Sequence, residues 1–152
     1  MARRLGVLFL HPFRRKCNKQ RRSALCKHPL YSPKLHRFCE KQATVIHARC
    51  GPSSGKICGI IAEDILAQFL AQGGRCALSG QPLKFDRLDP AETKVSVDRI
   101  DSSLNYTADN VQLVTARINQ MKNDMSQATF VKICLLVADH AMSTVERGER
   151  AA

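Results

Sequence analysis

The sequence has no tryptophan, and aromatic residues make up only 5% of its 152 positions. Its core must therefore be filled by Leu, Ile, Val and Met, for which an apolar share of 44% is sufficient. No two of the seven cysteines form a C-x-x-C pair. Cys17, Cys26, Cys39, Cys50 and Cys58 are spread too widely for a usual structural zinc site, although Cys26-Lys27-His28 and His36-Arg37-Phe38-Cys39 leave a mixed Cys/His site open. The odd count implies no disulfide framework, so a reducing, cytoplasmic location is expected. Cys76 and Cys134 read as small core residues. The apolar run Leu5–Leu10 follows two arginines but is only six residues long. It is too short for a signal segment or a membrane span, so neither export nor membrane insertion is expected.

Acidic residues are almost missing from the first third. Residues 1–50 hold 13 Lys or Arg against one acid, Glu40, a net of +12, whereas residues 51–152 stand at −1. The chain as a whole carries +11. Such an excess favours a polyanionic partner, and a basic arm binds phosphates without reading sequence. The plainer alternative is a solvated tail.

The pattern predicts an α+β fold: a small ββα core, flanking helices and a basic N-terminal arm of low order over residues 1–50. The ordered domain is expected over 56–142, with a tail over 143–152. A short helix is expected at 40–50, a linker at Gly51-Pro52-Ser53-Ser54-Gly55, and a strand from Lys56 to Gly59. Residues 63–72 predict an amphipathic helix with Ile65, Leu66, Phe69 and Leu70 on one face and Gly73-Gly74 as its stop. Arg75–Leu78 and Leu83–Phe85 predict a hairpin turned at Ser79-Gly80-Gln81-Pro82. Ser126 is expected to cap a last helix over 127–142 that packs on the 63–72 helix.

The informative stretch is residues 95–123. Val95-Ser96-Val97 alternates as a half-buried strand, and the polar run 102–110 follows it as a loop. Val111-Gln112-Leu113-Val114 is a second strand, and helical spacing begins at Thr115, with Ile118, Met121 and Met125 on one face. A strand end and a helix packed on it can hold two oxygen donors close together, here Asp98 and Asn119. Hard divalent cations need few protein ligands of this kind. A hairpin and helix with a surface Asp and a capping or core amide is the other reading of the same pattern.

Several positions in this stretch agree in order and spacing with a known family. Arg75-Cys76-Ala77-Leu78-Ser79-Gly80-Gln81-Pro82-Leu83, Ser96-Val97-Asp98-Arg99-Ile100-Asp101-Ser102-Ser103, Tyr106, Asp109-Asn110-Val111-Gln112-Leu113-Val114 and Asn119-Gln120-Met121-Lys122 together resemble the ββα-metal core of HNH endonucleases, in their phage and bacterial branch, over about residues 60–140. The resemblance implies metal-dependent hydrolysis of phosphodiester bonds in DNA. It implies Asp98 and Asn119 as ligands of one divalent cation, Mg²⁺ or Mn²⁺ first, with Zn²⁺ or Ni²⁺ as alternatives. It implies Asn110 as the residue that ties the loop. Arg99, Arg117 and Lys122 become candidate phosphate contacts.

One departure stands out. Most HNH enzymes carry a general-base His after the metal Asp; here that position is Arg99, which stays protonated and cannot accept a proton. Asp101, metal-bound hydroxide or a more distant His would have to act as the base, and no His lies between His47 and His140. His140 itself is expected at the surface. Two further readings are therefore expected alongside the nuclease. One is a DNA-binding protein that keeps the fold without cleavage. The other is a basic RNA- or ribosome-associated protein whose N-terminal third is the functional part.

Overall fold

The computed structural model describes residues 19–51, 55 and 57–149. In chain order these form α1 (Lys19–Leu25), α2 (Pro33–Arg49), α3 (Ala62–Ala71), β1 (Val95–Arg99), β2 (Val111–Thr115), α4 (Ala116–Lys122) and α5 (Gln127–Glu149). The described residues thus make an α+β fold of five helices and one two-stranded antiparallel sheet.

The hairpin register pairs Val95 with Thr115, Val97 with Leu113, Asp98 with Gln112 and Arg99 with Val111. All five residues of β2 are buried, because α3 packs on the sheet and α4 returns across β1 and β2. α2 in turn packs on α3. Leu35, Cys39 and Ile46 of α2 meet Ile65, Leu66 and Phe69 of α3, and Val111, Leu113 and Val114 complete the same core.

Local chemistry sets the helix ends. Ser32 caps α2 by accepting from the Leu35 amide at 3.1 Å, with Pro33 at the first helical position. Asp64 reaches back to accept from the Ile61 amide at 2.9 Å and so fastens the start of α3. Gly73 and Gly74, both at positive φ, end α3, and the Gly74 amide bonds the Phe69 carbonyl. Thr115 caps α4, and Ser126 caps α5 through the Thr129 amide, as expected for Ser126.

Five expectations need correction. Residues 19–49 are not of low order: α2 is a 17-residue helix whose buried stripe of Leu35, Cys39, Ala43 and Ile46 forms part of the core. That apolar stripe was hidden among basic residues; residues 1–18 lie outside the described residues. The expected 75–85 hairpin is a tight loop with a single antiparallel bridge, Arg75 to Pro82, because the Cys76 amide bonds Gln81 and the chain turns at once. The expected strand at 56–59 is only an isolated bridge from Cys58 to Tyr106, Lys56 being outside the described residues. The last helix continues to Glu149 rather than 142, so the expected tail begins within a helix. Only Phe130 of α5 is buried among its described side chains, and the bracing of α3 falls to α2 instead.

Candidate functional site

Alternation along β1 places Ser96 and Asp98 on the side that receives α4. The helix is entered directly from β2 through Thr115, so its first turn is fixed to the sheet. Asn119 and Lys122, three apart on α4, then come down over Ser96 and Asp98 respectively.

Lys122 is 0% exposed. Its ammonium donates to Asp98 Oδ1 at 3.1 Å, to the Arg99 carbonyl at 2.8 Å and to Ser102 Oγ at 3.1 Å. All three ammonium protons thus have acceptors. The other Asp98 oxygen accepts from Gln112 Nε2 at 3.0 Å, the residue opposite it in the sheet. Gln112 also donates to Gln127 Oε1 at 3.0 Å, which fastens the first turn of α5 to this polar cluster. Burial of a charge is tolerated only when it is paired and hydrogen-bonded, and this cluster meets both conditions.

The loop after β1 is held by Asn110. Its Oδ1 accepts from the Asp101 amide at 2.9 Å, and its Nδ2 donates to the carbonyls of Asp101 and Asn105, each at 3.0 Å. Asp101 turns its carboxylate onto Ser103, accepting from the hydroxyl at 2.6 Å and from the amide at 2.9 Å. The hydroxyl and then the amide of Ser103 hold the Asp101 carboxyl below the ordinary carboxylate range. Arg99 donates to the Leu104 carbonyl at 2.8 Å and lies over the Tyr106 ring at 5.1 Å. Arg117 pairs with Glu92 at 2.9 Å on a different part of the surface.

Of the residues singled out in the sequence, Asp98 and Lys122 therefore meet, while Asn119, on the same helix, bonds Ser96 and Val97 of β1. Asn110 organises the adjoining loop with Asp101, Arg99 braces that loop, and Arg117 stands apart. Gln112 and Ser102 complete the cluster and were not foreseen. Only the strand register could have pointed to Gln112, and only the path of the loop to Ser102.

As arranged here, both oxygens of the expected metal ligand Asp98 are engaged by protein donors. A cation bound there would sit against the Lys122 ammonium. The Asn119 amide nitrogen faces Ser96 Oγ at 2.8 Å and the Val97 carbonyl at 3.5 Å. Among the described residues, no three His, Cys, Asp or Glu side chains are grouped to hold a metal ion. The ammonium takes the place next to the carboxylate that the expected metal would require.

A second feature is electrostatic. Lys34, Arg37 and Lys41 are exposed on α2, opposite its buried stripe. Their 3- and 4-residue spacing places them in one line about 10 Å long. Lys34 pairs with Asp86, and Arg21 with Asp64 at 2.7 Å. Lys19, Arg22, Lys27, Arg37, Lys41 and Arg49 have no ion-pair partner among the described residues. In the sequence this surface shows only as a count of basic residues, because their line exists only once α2 is formed. Comparison with known proteins gives no match, whether to a family model, to a curated protein or to a solved structure.

Proposed function

We propose that this protein binds DNA through the phosphate backbone and uses its ββα unit as a rigid frame rather than as a hydrolytic centre. The observation that carries this reading is the Lys122 ammonium seated on Asp98. It commits to an internal ion pair the carboxylate on which metal-dependent cleavage would depend. Arg99, in the position where a general base would stand, can donate hydrogen bonds but cannot take a proton from water.

The surface of α1 and α2 supports the binding half of the proposal. Its unpaired guanidinium and ammonium groups are free to meet phosphates, and no acid other than Glu40 lies between residues 19 and 50. Contacts of this type give affinity without base readout and are strongly salt-dependent.

A metal-dependent endonuclease is the second reading, favoured by the seating of Asn119 of α4 on Ser96 and Val97, the residues that precede Asp98 on β1. One experiment separates the two. Duplex DNA binding is measured across a salt series, and supercoiled plasmid is incubated with Mg²⁺, Mn²⁺ or EDTA and the wild type or Asp98→Ala. Salt-sensitive binding without nicking is expected. Metal-dependent nicking by the wild type that disappears in an Asp98→Ala protein with unchanged far-UV circular dichroism overturns the proposal and installs the nuclease.

A further inference from the structure

α5 is anomalous for a protein in water. Leu135 is 64% exposed and Val145 60%, and Val131, Leu136, Val137 and Met142 are exposed with them. An apolar surface of this extent marks an interaction site. By length and composition alone the segment Gln127–Val145 would suffice to cross a membrane.

The anchoring of α5 argues against lipid as the occupant. The first turn is fixed to the domain: Gln127 accepts from Gln112, and Phe130 is buried. That leaves residues 131–145, about 22 Å of helix, for a hydrocarbon layer of about 30 Å. Within that length stand Lys132, Asp139 and His140, all exposed, and ionisable side chains are costly at that depth.

The spacing points elsewhere. Ala128, Val131, Leu135, Ala138, Met142 and Val145 follow one another at intervals of three and four, all on one exposed stripe. This is the a/d repeat of a two-helix seam. Taken antiparallel against itself, the stripe closes in register. Ala128 faces Val145, Val131 faces Met142 and Leu135 faces Ala138, each twice by symmetry. Every layer sets a larger side chain against an equal or smaller one, as close packing needs. Lys132 and Asp139 flank the same edge of the stripe. In that antiparallel register the Lys132 of each copy lies beside the Asp139 of the other, giving two ion pairs. A parallel pair would bring no acid to Lys132.

We infer that α5 is a self-association helix that pairs antiparallel with the α5 of a second copy of this chain. The interface is isologous, the usual form of a two-fold dimer. It uses none of the residues in the proposed DNA-binding surface, so it stands independently of that reading.

Sedimentation equilibrium of the full chain at tens of micromolar tests it. A dimer is expected for the wild type and a monomer for Leu135→Glu, with unchanged far-UV circular dichroism because Leu135 has no role in the core. Lys132→Glu alone weakens association roughly tenfold by setting like charges together twice, and Lys132→Glu with Asp139→Lys restores it. A wild-type monomer overturns the inference, as does a dimer indifferent to Leu135→Glu. Failure of the charge swap to rescue overturns the antiparallel register. Flotation of the protein with phosphatidylcholine and phosphatidylglycerol vesicles, lost in Leu135→Glu, assigns the face to lipid instead.

Discussion

The Lys122 ammonium and the Asp98 carboxylate lie 3.1 Å apart, both buried, one on the last turn of α4 and the other next to the end of β1. Their sequence separation of 24 residues spans the whole loop and β2. The pair therefore fixes the return of the helix across the sheet. It also supplies, from within the chain, the positive charge that a buried carboxylate requires.

Removing one partner leaves the other charged and without compensation. Lys122→Met is expected to destabilise the fold by about 3–5 kcal/mol, and Asp98→Asn combined with Lys122→Met by much less than the single change. Urea unfolding of the three proteins measures this as a double-mutant comparison. A loss below about 1 kcal/mol for Lys122→Met would show that the pair is solvated.

Asn110 offers a second test, because one side chain satisfies three backbone groups of the loop 101–105. Asn110→Ala removes those three part-buried hydrogen bonds, at a cost of about 2–4 kcal/mol. Faster amide exchange confined at first to residues 101–109 is expected, with the β1–β2 ladder still protected. Unchanged exchange in that loop would show that its turns hold without Asn110.

The sequence revealed those elements whose signals are local. The order β1, loop, β2, α4 follows from alternation giving way to helical spacing, and Gly73-Gly74 and Ser126 act as boundaries by their own stereochemistry. The apolar face of α3 was equally plain. Asn110 was singled out by the resemblance alone; in the fold its side chain bonds the backbone of Asp101 and Asn105. What escaped was tertiary. Lys122 carries no mark in the sequence that distinguishes a buried ammonium from a phosphate contact; only the return of α4 over Asp98 decides it. α2 was obscured because its buried positions alternate with Lys34, Arg37 and Lys41, so that composition masked its period. The outward direction of α5 was illegible for the opposite reason. Its apolar residues are those of a core helix, and nothing local says that the core is absent.

The basic surface makes a quantitative claim. Arg37 and Lys41 are exposed and have no ion-pair partner among the described residues. Replacing both with Ala is expected to weaken binding equally for unrelated duplex sequences and to reduce the slope of log affinity against log salt by about 2. Fluorescence anisotropy over a salt series provides both numbers. An unchanged slope would place the phosphate contacts elsewhere on the protein.

Stability at alkaline pH follows from Cys39. Burial pushes its thiol up to about 12, with Glu63 and Glu40 adding negative charge nearby. The folded protein therefore keeps this proton over a range in which the unfolded chain, with an ordinary thiol, has lost it. The contribution is complete below the unfolded thiol value of about 8.5. It declines as pH rises through the window up to about 12, by at most about 1.4 kcal/mol per pH unit. Other groups titrate in the same window, so the comparison is with Cys39→Ala, which lacks the thiol and leaves a small cavity. Cys39→Ala is expected to be less stable than the wild type at neutral pH, and the difference is expected to narrow as pH rises above 9. Urea midpoints measured for both proteins across that window check the sign. A gap that stays constant would mean that Cys39 ionises as readily in the folded protein as in the unfolded chain, and that the α2–α3 core admits water.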